Sequence, residues 1–238
     1  MPKPAIPLPA ATVVLLRPNA RTGFEVYLNR RPEHLETYAG VFVFPGGRVE
    51  ESDCSAAMLA LTRGLSAHEA QQKLGTSSAA EICLGYWVAA VRELYEEVGI
   101  HFFVSDPESS HSLSSDIVQR MAELRPTLQQ GAISFVELLQ AEHVFCDLSR
   151  LTYFFHRVTP EHYRARFDTR FYIAAVPTDQ TPLAVSEEVS ESLWISPQLA
   201  LERFAHNEFP MMPPTVMVLR TLTKYRSWTE LREVFGVC

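Results

Sequence analysis

The sequence predicts an α/β layered fold with a mixed β-sheet and a helical insertion. Three observations support this fold class: β-rich runs come first, a long regular helix follows, and strands and then helices return towards the end of the chain. An apolar content of 47% in 238 residues is enough to bury a sizeable core. We therefore expect a single domain over residues 1–238. Within it, a helical segment at about residues 54–84 is inserted between the first strands and the long helix.

The first elements form the start of the sheet. Ala11 to Arg17 and Phe24 to Arg30 are β-rich, and Pro18 to Gly23 between them is typical of a hairpin loop. Val41 to Phe44 follows as a third strand. It ends at Pro45-Gly46-Gly47, where glycine lets the backbone approach a ligand closely.

The middle of the chain is mainly helical. Ser55 to about Leu74 is rich in Ala, Leu, Glu and Gln, which favours one helix, and Gly75 to Ser78 ends it. The carboxylate-bearing helix follows, and the polar segment from Ser105 to Ser115 is predicted to be a loop. The elements predicted after this loop are helices at Asp116–Leu124 and Phe135–Glu142, strands at Leu151–Val158, Phe171–Val176 and Leu193–Ile195, and two last helices at Gln198–Ala205 and Pro214–Tyr225.

Nine residues from Arg92 to Ile100 carry the strongest functional pattern. Glu93, Glu96 and Glu97 stand at i, i+3 and i+4, where helical side chains are nearest neighbours. Like charges at this spacing cost an isolated helix about 0.2–0.5 kcal/mol per pair, and a divalent cation would reverse the sign. Mg²⁺ or Mn²⁺ suits such oxygen ligands when they are shared with substrate phosphates. The helix therefore predicts a metal site for a diphosphate.

An acidic helical face taken alone is usually solvated surface. The full pattern, R-E-apolar-x-E-E-x-G-apolar, is nevertheless expected by chance in only about one of 10⁵ chains of this length. Gly99 has an ordinary structural interpretation as the left-handed residue that ends a helix, and this agrees with the functional one.

Together with Phe44-Pro45-Gly46-Gly47, these nine residues resemble the Nudix box, G-x(5)-E-x(7)-R-E-U-x-E-E-x-G-U, in which U is a bulky aliphatic residue. The second half of the box matches at every defined position. The resemblance implies a Nudix-type α/β/α sandwich and a metal-dependent diphosphate hydrolase in which Arg92 orients a carboxylate. The predicted catalytic residues are Arg92, Glu93, Glu96 and Glu97, and the predicted metal ligands are Gly47, Glu93, Glu96 and Glu97.

The first half of the box departs from the family pattern. With Gly47 as the box glycine, Asp53 stands where the family has glutamate, and 38 residues instead of seven separate Asp53 from Arg92. A 31-residue insertion therefore splits the box. Asp53 is open to two interpretations: a helix N-cap that opens the insertion, which we favour, or a functional replacement for the glutamate.

The split box is similar to the branch of Nudix proteins that includes the mammalian peroxisomal coenzyme A diphosphatase. A motif upstream of the box in Nudix coenzyme A hydrolases is retained in spacing but only in part in residues. The positions in register are Arg31, Leu35, Gly40, Phe44, Pro45, Gly46 and Gly47, and those that differ are Pro32, Tyr38 and Phe42. This branch implies coenzyme A or an acyl-coenzyme A as substrate, with 3′,5′-ADP and phosphopantetheine as products.

Phosphate groups and the attacking water need further residues. Guanidinium groups make forked bonds to phosphate, and the predicted substrate-binding residues are Arg31, Arg48, Arg166 and Arg170. Nudix enzymes take the general base either from the box or from a distant loop. The candidates here are Glu97, Glu187, Glu188 and Glu191.

Composition excludes several other classes. A net charge of −7 argues against a nucleic-acid surface. We see no export signal or membrane span, and four separated cysteines suggest neither zinc nor disulfides, so a cytoplasmic enzyme is expected. The insertion could cover the active site, pack on the sheet, or contribute to a homodimer.

Alternative functions remain at this point. The substrate could be ADP-ribose or a nicotinamide dinucleotide. A non-catalytic nucleotide-sensing Nudix-fold module would not need the complete carboxylate triad, and an isoprenoid diphosphate isomerase would need an acid and base pair for which no cysteine is well placed.

Overall fold

The computed structural model describes residues 5–34, 38–106, 108, 113–184 and 189–237. The strands in this part of the chain are β1 (Leu8–Asn19), β2 (Gly23–Arg30), β3 (Phe42–Val43), β4 (Gly46–Arg48), β5 (Thr62–Arg63), β6 (Phe103–Val104), β7 (Phe145–Asp147), β8 (Thr152–Val158), β9 (Phe167–Ala175) and β10 (Glu191–Ile195). The helices are α1 (Ala56–Leu59), α2 (Ala67–Leu74), α3 (Ala80–Val98), α4 (Ser115–Gln129), α5 (Phe135–Ala141), α6 (Pro197–Ala205), α7 (Pro213–Leu222) and α8 (Trp228–Phe235).

The main sheet is mixed, as predicted. Its strand order is β10-β2-β1-β9-β8, with β3 beside β2 and β4 beside β1. β1 runs parallel to β9 and antiparallel to β2 and β4. The long β1 pairs with β2 through Leu16–Asn19 and with β4 through Ala10–Thr12, so the glycine-rich β4 lies towards the first end of β1.

Helices cover both faces of this sheet, which confirms the α/β/α sandwich. Val13 and Leu15 of β1 pack in a cluster with α3, whereas Val14 and Leu16 pack in a cluster with α7. All four side chains are fully buried. A strand that is buried on both faces is a continuous apolar run without polar alternation. The sequence of β1 alone therefore does not show that a layer of helices covers each of its faces.

The insertion differs from the single helix expected over Ser55–Leu74, and that expectation is wrong. Two helices, α1 and α2, are separated by β5 and by Gly64, which has a φ of +78°. Ser66 then caps α2 in a capping box with Glu69. β5 pairs with β7, and β7 with β6, in a second, three-stranded sheet.

Other boundaries shift as well. α4 continues through Pro126 to Gln129, beyond the predicted end at Leu124. α8 was not predicted, and part of the loop expected over Ser105–Ser115 lies outside the described residues. In the ranges that the structure describes, every helix is too short or too polar to cross a membrane.

Candidate active site

α3 carries the three predicted carboxylates, and its last turns lie under β4. Apolar residues on its other face pack on the sheet, with Trp87, Val91 and Leu94 at most 1% exposed. The helix ends at Gly99, whose φ of +71° lets its N–H bond to the Tyr95 carbonyl. The sequence thus places Glu93, Glu96 and Glu97 on the part of the helix that faces away from the core. The exposed side-chain fractions of Glu93 and Glu96 are 14% and 20%, and Glu97 as a residue is 8% exposed.

Arg92 connects these carboxylates to the first half of the box. Its Nε and Nη2 donate to the two carboxylate oxygens of Asp53 at 2.9 and 3.0 Å. Its Nη1 donates to Glu93 at 2.9 Å and to Glu96 at 3.2 Å. Burial opposes the charge of Arg92, but the hydrogen bond and charge of Asp53, with the charges of Glu93 and Glu96, outweigh it and raise the pKa of the guanidinium. Arg92 therefore stays charged and orients two carboxylates, where one was expected.

Asp53 is a partner of Arg92 and not the N-cap of the insertion, so the favoured interpretation of this residue is wrong. It lies in a 3-10 turn, Ser52–Cys54, and is 1% exposed. Its carboxylate also accepts the N–H of Glu50 at 2.8 Å. The N-cap of α1 is Ser55, which bonds to the N–H of Met58. The insertion therefore leaves the aspartate and the arginine in direct contact, although 38 residues separate them.

β4 brings backbone against the carboxylates. The Gly46 N–H donates to Glu97 Oε2 at 3.1 Å. A Cβ added to Gly47 would lie 2.3 Å from Glu93 Oε1, so any other residue here would displace that carboxylate. Gly47 is thus required by the close approach of β4 to α3, whereas a Cβ on Gly46 would lie 2.3 Å from the Ala11 carbonyl oxygen of β1.

The carboxylate oxygens at this site are the kind of ligand that a hard divalent cation prefers. The Arg92 guanidinium bonds to the carboxylates of Asp53, Glu93 and Glu96, and Glu50 and Glu97 lie in the same cluster through Asp53 and Gly46, so oxygen donors and negative charge are in excess. Burial raises the pKa of Glu96 against the lowering effect of Arg92, and the charges of Glu50 and Asp53 raise it further. Within the described residues, however, no three His, Cys, Asp or Glu side chains are grouped as a bound metal would hold them. Glu93 and Glu96 turn towards Arg92 instead, and Glu97 towards Gly46.

A cleft opens directly on this cluster. Its volume is about 440 Å³, and α3, the 3-10 turn and the segment between α4 and α5 enclose it. Its lining residues are Glu50, Ser52, Arg92, Glu96, Leu128, Gln129, Gly131, Ala132, Ile133, Ser134, Phe135 and Glu137.

Two of the arginines proposed to bind phosphate lie near β3 and β4. Arg48 is exposed, and its carbonyl accepts a hydrogen bond from Arg92 Nη2 at 2.9 Å. Arg31 is half-buried and exchanges backbone hydrogen bonds with Val41 and Gly40 at 3.0 Å. Both are at the end of the sheet that carries the box.

The other two arginines have structural partners. Arg166 donates to the carbonyls of Thr159 and Ala5 at 3.1 and 2.5 Å. Arg170 donates to Asp168 at 2.5 Å and lies 5.3 Å from the ring centre of Tyr86. Register across β9, β1 and β4 nevertheless puts Arg170 in line with Gly47, so its side chain shares the sheet face of the box at two strand spacings, roughly 10 Å.

The remote base candidates are only partly described. Glu187 and Glu188 lie outside the described residues. The side chain of Glu191 is 53% exposed and lies 3.9 Å from Arg30. The pairing of β10, β2 and β3 aligns Glu191 with Arg30 and Phe42, towards the box end of the sheet.

Sequence reasoning missed three residues around Glu96. Glu50 raises its pKa and lines the cleft. Arg125 and Gln129 of α4 donate to its backbone carbonyl at 2.6 and 2.8 Å. Spacing from Asp53 could have pointed to Glu50, but no local pattern marks the two α4 residues, because they reach α3 from about 30 positions away.

The chain is similar to known proteins over most of its length. The family model for the NUDT19 Nudix domain matches residues 62–222, about two thirds of the chain. The acyl-coenzyme A diphosphatase NUDT19 of Gallus gallus is 26% identical over 243 residues, which cover 88% of this chain and 64% of that protein. The human protein of the same name is 24% identical and is covered to 65%. The chain thus spans less than two thirds of these relatives. A crystal structure of a Nudix hydrolase from Alicyclobacillus acidocaldarius matches with a TM-score of 0.72 at 26% identity, over 94% of each chain.

Proposed function

Because this chain belongs to the NUDT19 Nudix domain family and is a Nudix hydrolase, we propose that it hydrolyses the diphosphate bond of coenzyme A or an acyl-coenzyme A, with Mg²⁺ or Mn²⁺. The products would be 3′,5′-ADP and phosphopantetheine or its acyl form. A small nucleotide-type substrate, a cytoplasmic location, a homodimer and the absence of a nucleic-acid partner stay predictions.

The observation that carries the proposal is the contact between the two halves of the split box. Asp53 and Arg92 pair at 2.9 and 3.0 Å in a site where both are almost fully buried. This pair holds α3 so that its carboxylates meet the glycines of β4. The contact thus assembles the two halves of the box into one site despite the insertion.

The residues divide the work as follows. Arg92 positions Glu93 and Glu96, and Glu97 is positioned by the Gly46 N–H. Water attacks phosphorus, the P–O–P bond breaks, and the oxygen of the leaving phosphate departs with the bonding electrons. A proton of the water passes to a carboxylate, for which Glu97, Glu187, Glu188 and Glu191 are candidates.

The cation would be held by Glu93, Glu96, Glu97 and the Gly47 carbonyl, once these oxygens turn from Arg92 and Gly46. When bound, such an ion neutralises charge on the diphosphate and lowers the pKa of a water. Arg31, Arg48, Arg166 and Arg170 are proposed to bind substrate phosphates. Arg48 is exposed at the end of β4, whereas Arg166 and Arg170 would have to exchange existing partners.

Coenzyme A is preferred to ADP-ribose or a nicotinamide dinucleotide for two reasons. Two relatives that match about nine tenths of the chain, from Gallus gallus and Homo sapiens, are named acyl-coenzyme A diphosphatases. The upstream motif of coenzyme A hydrolases is also kept in spacing at Arg31, Gly40 and the run from Phe44 to Gly47.

A substrate panel tests the proposal. Purified protein is incubated with coenzyme A, an acyl-coenzyme A, ADP-ribose and NAD⁺, each with Mg²⁺ or Mn²⁺, and the products are identified by mass. We expect 3′,5′-ADP and phosphopantetheine from coenzyme A, at a kcat/KM above that for the other two nucleotides. Turnover of ADP-ribose or NAD⁺ without turnover of coenzyme A would overturn the substrate and leave the class intact.

A further inference from the structure

The cleft beside the box has the size of a small-molecule site. Its volume of about 440 Å³ lies in the usual range of roughly 300–1,000 Å³ for ligand pockets. Glu96 and Arg92 are among its lining residues, so a molecule whose diphosphate lies on the box would contact the cleft as well. A second part of the lining is residues 128–135, from the end of α4 to the start of α5.

This wall is held in a defined position relative to the box. Arg125 and Gln129 both donate to the Glu96 carbonyl, at 2.6 and 2.8 Å. Gly131, at a φ of +69°, donates its N–H to Leu128 at 2.8 Å, and Ser134 begins α5 in a capping box. These hydrogen bonds hold the cleft wall against the helix that carries the candidate catalytic residues.

The charges of the lining argue against a phosphate group in the cleft. Glu50, Glu96 and Glu137 are all acidic. Arg92 is the one cationic side chain among the described lining residues, and it is 4% exposed and bonded to three carboxylates. A second phosphate placed here would meet repulsion that an uncharged group would not.

The remaining lining combines polar and apolar groups. The Gln129 amide and the Ser52 hydroxyl supply hydrogen-bonding groups, and the half-buried Ile133 supplies apolar surface. Phe135, the one aromatic side chain among the described lining residues, is 6% exposed, so it offers little ring face for stacking a nucleobase. This lining suits a flexible, amide-bearing chain better than a nucleoside.

We propose that the cleft binds the uncharged, amide-bearing arm of the substrate, and that residues 128–135 determine which arms the enzyme accepts. The phosphorylated nucleotide then lies on the opposite side of the diphosphate. This inference rests on the proposed function. It adds a binding site for the part of the substrate that lies beyond the diphosphate.

Ala132→Trp tests the assignment, because Ala132 is exposed and lines the cleft, so an indole there would fill it without entering the core. Ala141→Trp is the matched control: it is exposed at the end of α5 and does not line the cleft. Ala132→Leu is a smaller second variant in case the tryptophan impairs folding. Each protein is assayed for KM and kcat with coenzyme A, and for inhibition by 3′,5′-ADP and by 4′-phosphopantetheine.

We expect Ala132→Trp to raise KM for coenzyme A by about tenfold or more and to weaken inhibition by 4′-phosphopantetheine similarly, with kcat reduced much less. Inhibition by 3′,5′-ADP should stay within about twofold of wild type, and Ala141→Trp should behave as wild type throughout. Weakened 3′,5′-ADP inhibition with unchanged 4′-phosphopantetheine inhibition would overturn the assignment, as would a wild-type KM in both Ala132 variants. If the wild-type protein does not hydrolyse coenzyme A at all, the proposed function fails, and this assignment fails with it.

Discussion

Arg92 is the residue through which the parts of the candidate site contact one another. It is 4% exposed and bonds to Asp53, Glu93 and Glu96, as well as to the Arg48 carbonyl. A buried guanidinium is costly to desolvate, and only such a complete set of acceptors offsets that cost. The number of its partners therefore explains why an arginine, with five donors in a fixed fork, occupies this position and why lysine would not replace it.

His101, just after the box, is a buried histidine whose environment lowers its pKa. It is 8% exposed and lies 5.2 Å from Phe103, ring centre to ring centre, with the rings nearly parallel. Gln180 holds its backbone on both sides, accepting from its N–H at 2.9 Å and donating to its carbonyl at 3.0 Å. Burial lowers the pKa of His101 to about 4, although the charge of Asp179 opposes this shift.

The pKa of His101 predicts a pH dependence of stability. The unfolded histidine, with a pKa of about 6.5, binds a proton more readily than the folded one, so the free energy of unfolding falls as the pH drops from about 6.5 towards 4. Between about pH 7.5 and pH 5 this one group should cost about 2 kcal/mol. Urea unfolding of the wild type and of His101→Phe at both pH values measures it. The same pH dependence in both proteins would contradict the prediction.

At the scale of elements, α3 and the insertion differ in how far the sequence predicts them. The position of the carboxylates on α3 depends on local helical spacing, and the expected helix end at Gly99 is observed. The second sheet depends on pairing Thr62 and Arg63 with Cys146 and Asp147, which are more than 80 residues away. Composition carries no information on such a pairing, and for that reason the insertion was predicted as one helix.

The role of Asp53 could not be predicted for the same reason, because it depends on a contact between residues far apart in the sequence. Its type and position suggested a local N-cap, but the partner that determines its role is Arg92, which lies beyond the insertion. No local pattern in the sequence could have distinguished these two interpretations. This contact links the 3-10 turn at Ser52–Cys54 to α3, so its loss should affect both stability and activity.

Asp53→Asn should break this link. Asparagine offers Arg92 one acceptor oxygen in place of two and no charge, while Glu93 and Glu96 still pair with the guanidinium, so we expect the free energy of unfolding to fall by about 1–3 kcal/mol. Without this anchor Arg92 should position Glu93 and Glu96 less well, and kcat for coenzyme A should also fall. Denaturant unfolding and steady-state kinetics measure the two effects.

Glu51→Gln is a suitable control for Asp53→Asn, because Glu51 is exposed two residues earlier. Its stability and kcat should remain those of the wild type. An Asp53→Asn protein that matches this control in stability would mean that the buried pair does not join the two halves of the box.

For the whole molecule, the α/β/α sandwich determines where the box can lie. β1 pairs with β2 through one end and with β4 through the other, and α3 packs on the face that this arrangement presents. The fold class and the helix that carries Glu93, Glu96 and Glu97 were predictable because they rest on element order and on a dense motif. The cleft wall was not, because it forms only when α4 reaches back to α3 through Arg125 and Gln129.

The most direct test of the central claim, that the reunited box is the active site, is the kcat of Glu97→Gln for coenzyme A. Glutamine keeps the shape of the side chain and an oxygen that can accept the Gly46 N–H, so the fold should persist. Glu81→Gln, exposed at the start of the same helix, is the control. We predict a loss of about 10²–10⁴-fold in kcat for Glu97→Gln and none for the control, at unchanged thermal unfolding. A folded Glu97→Gln protein with a wild-type kcat would contradict the claim.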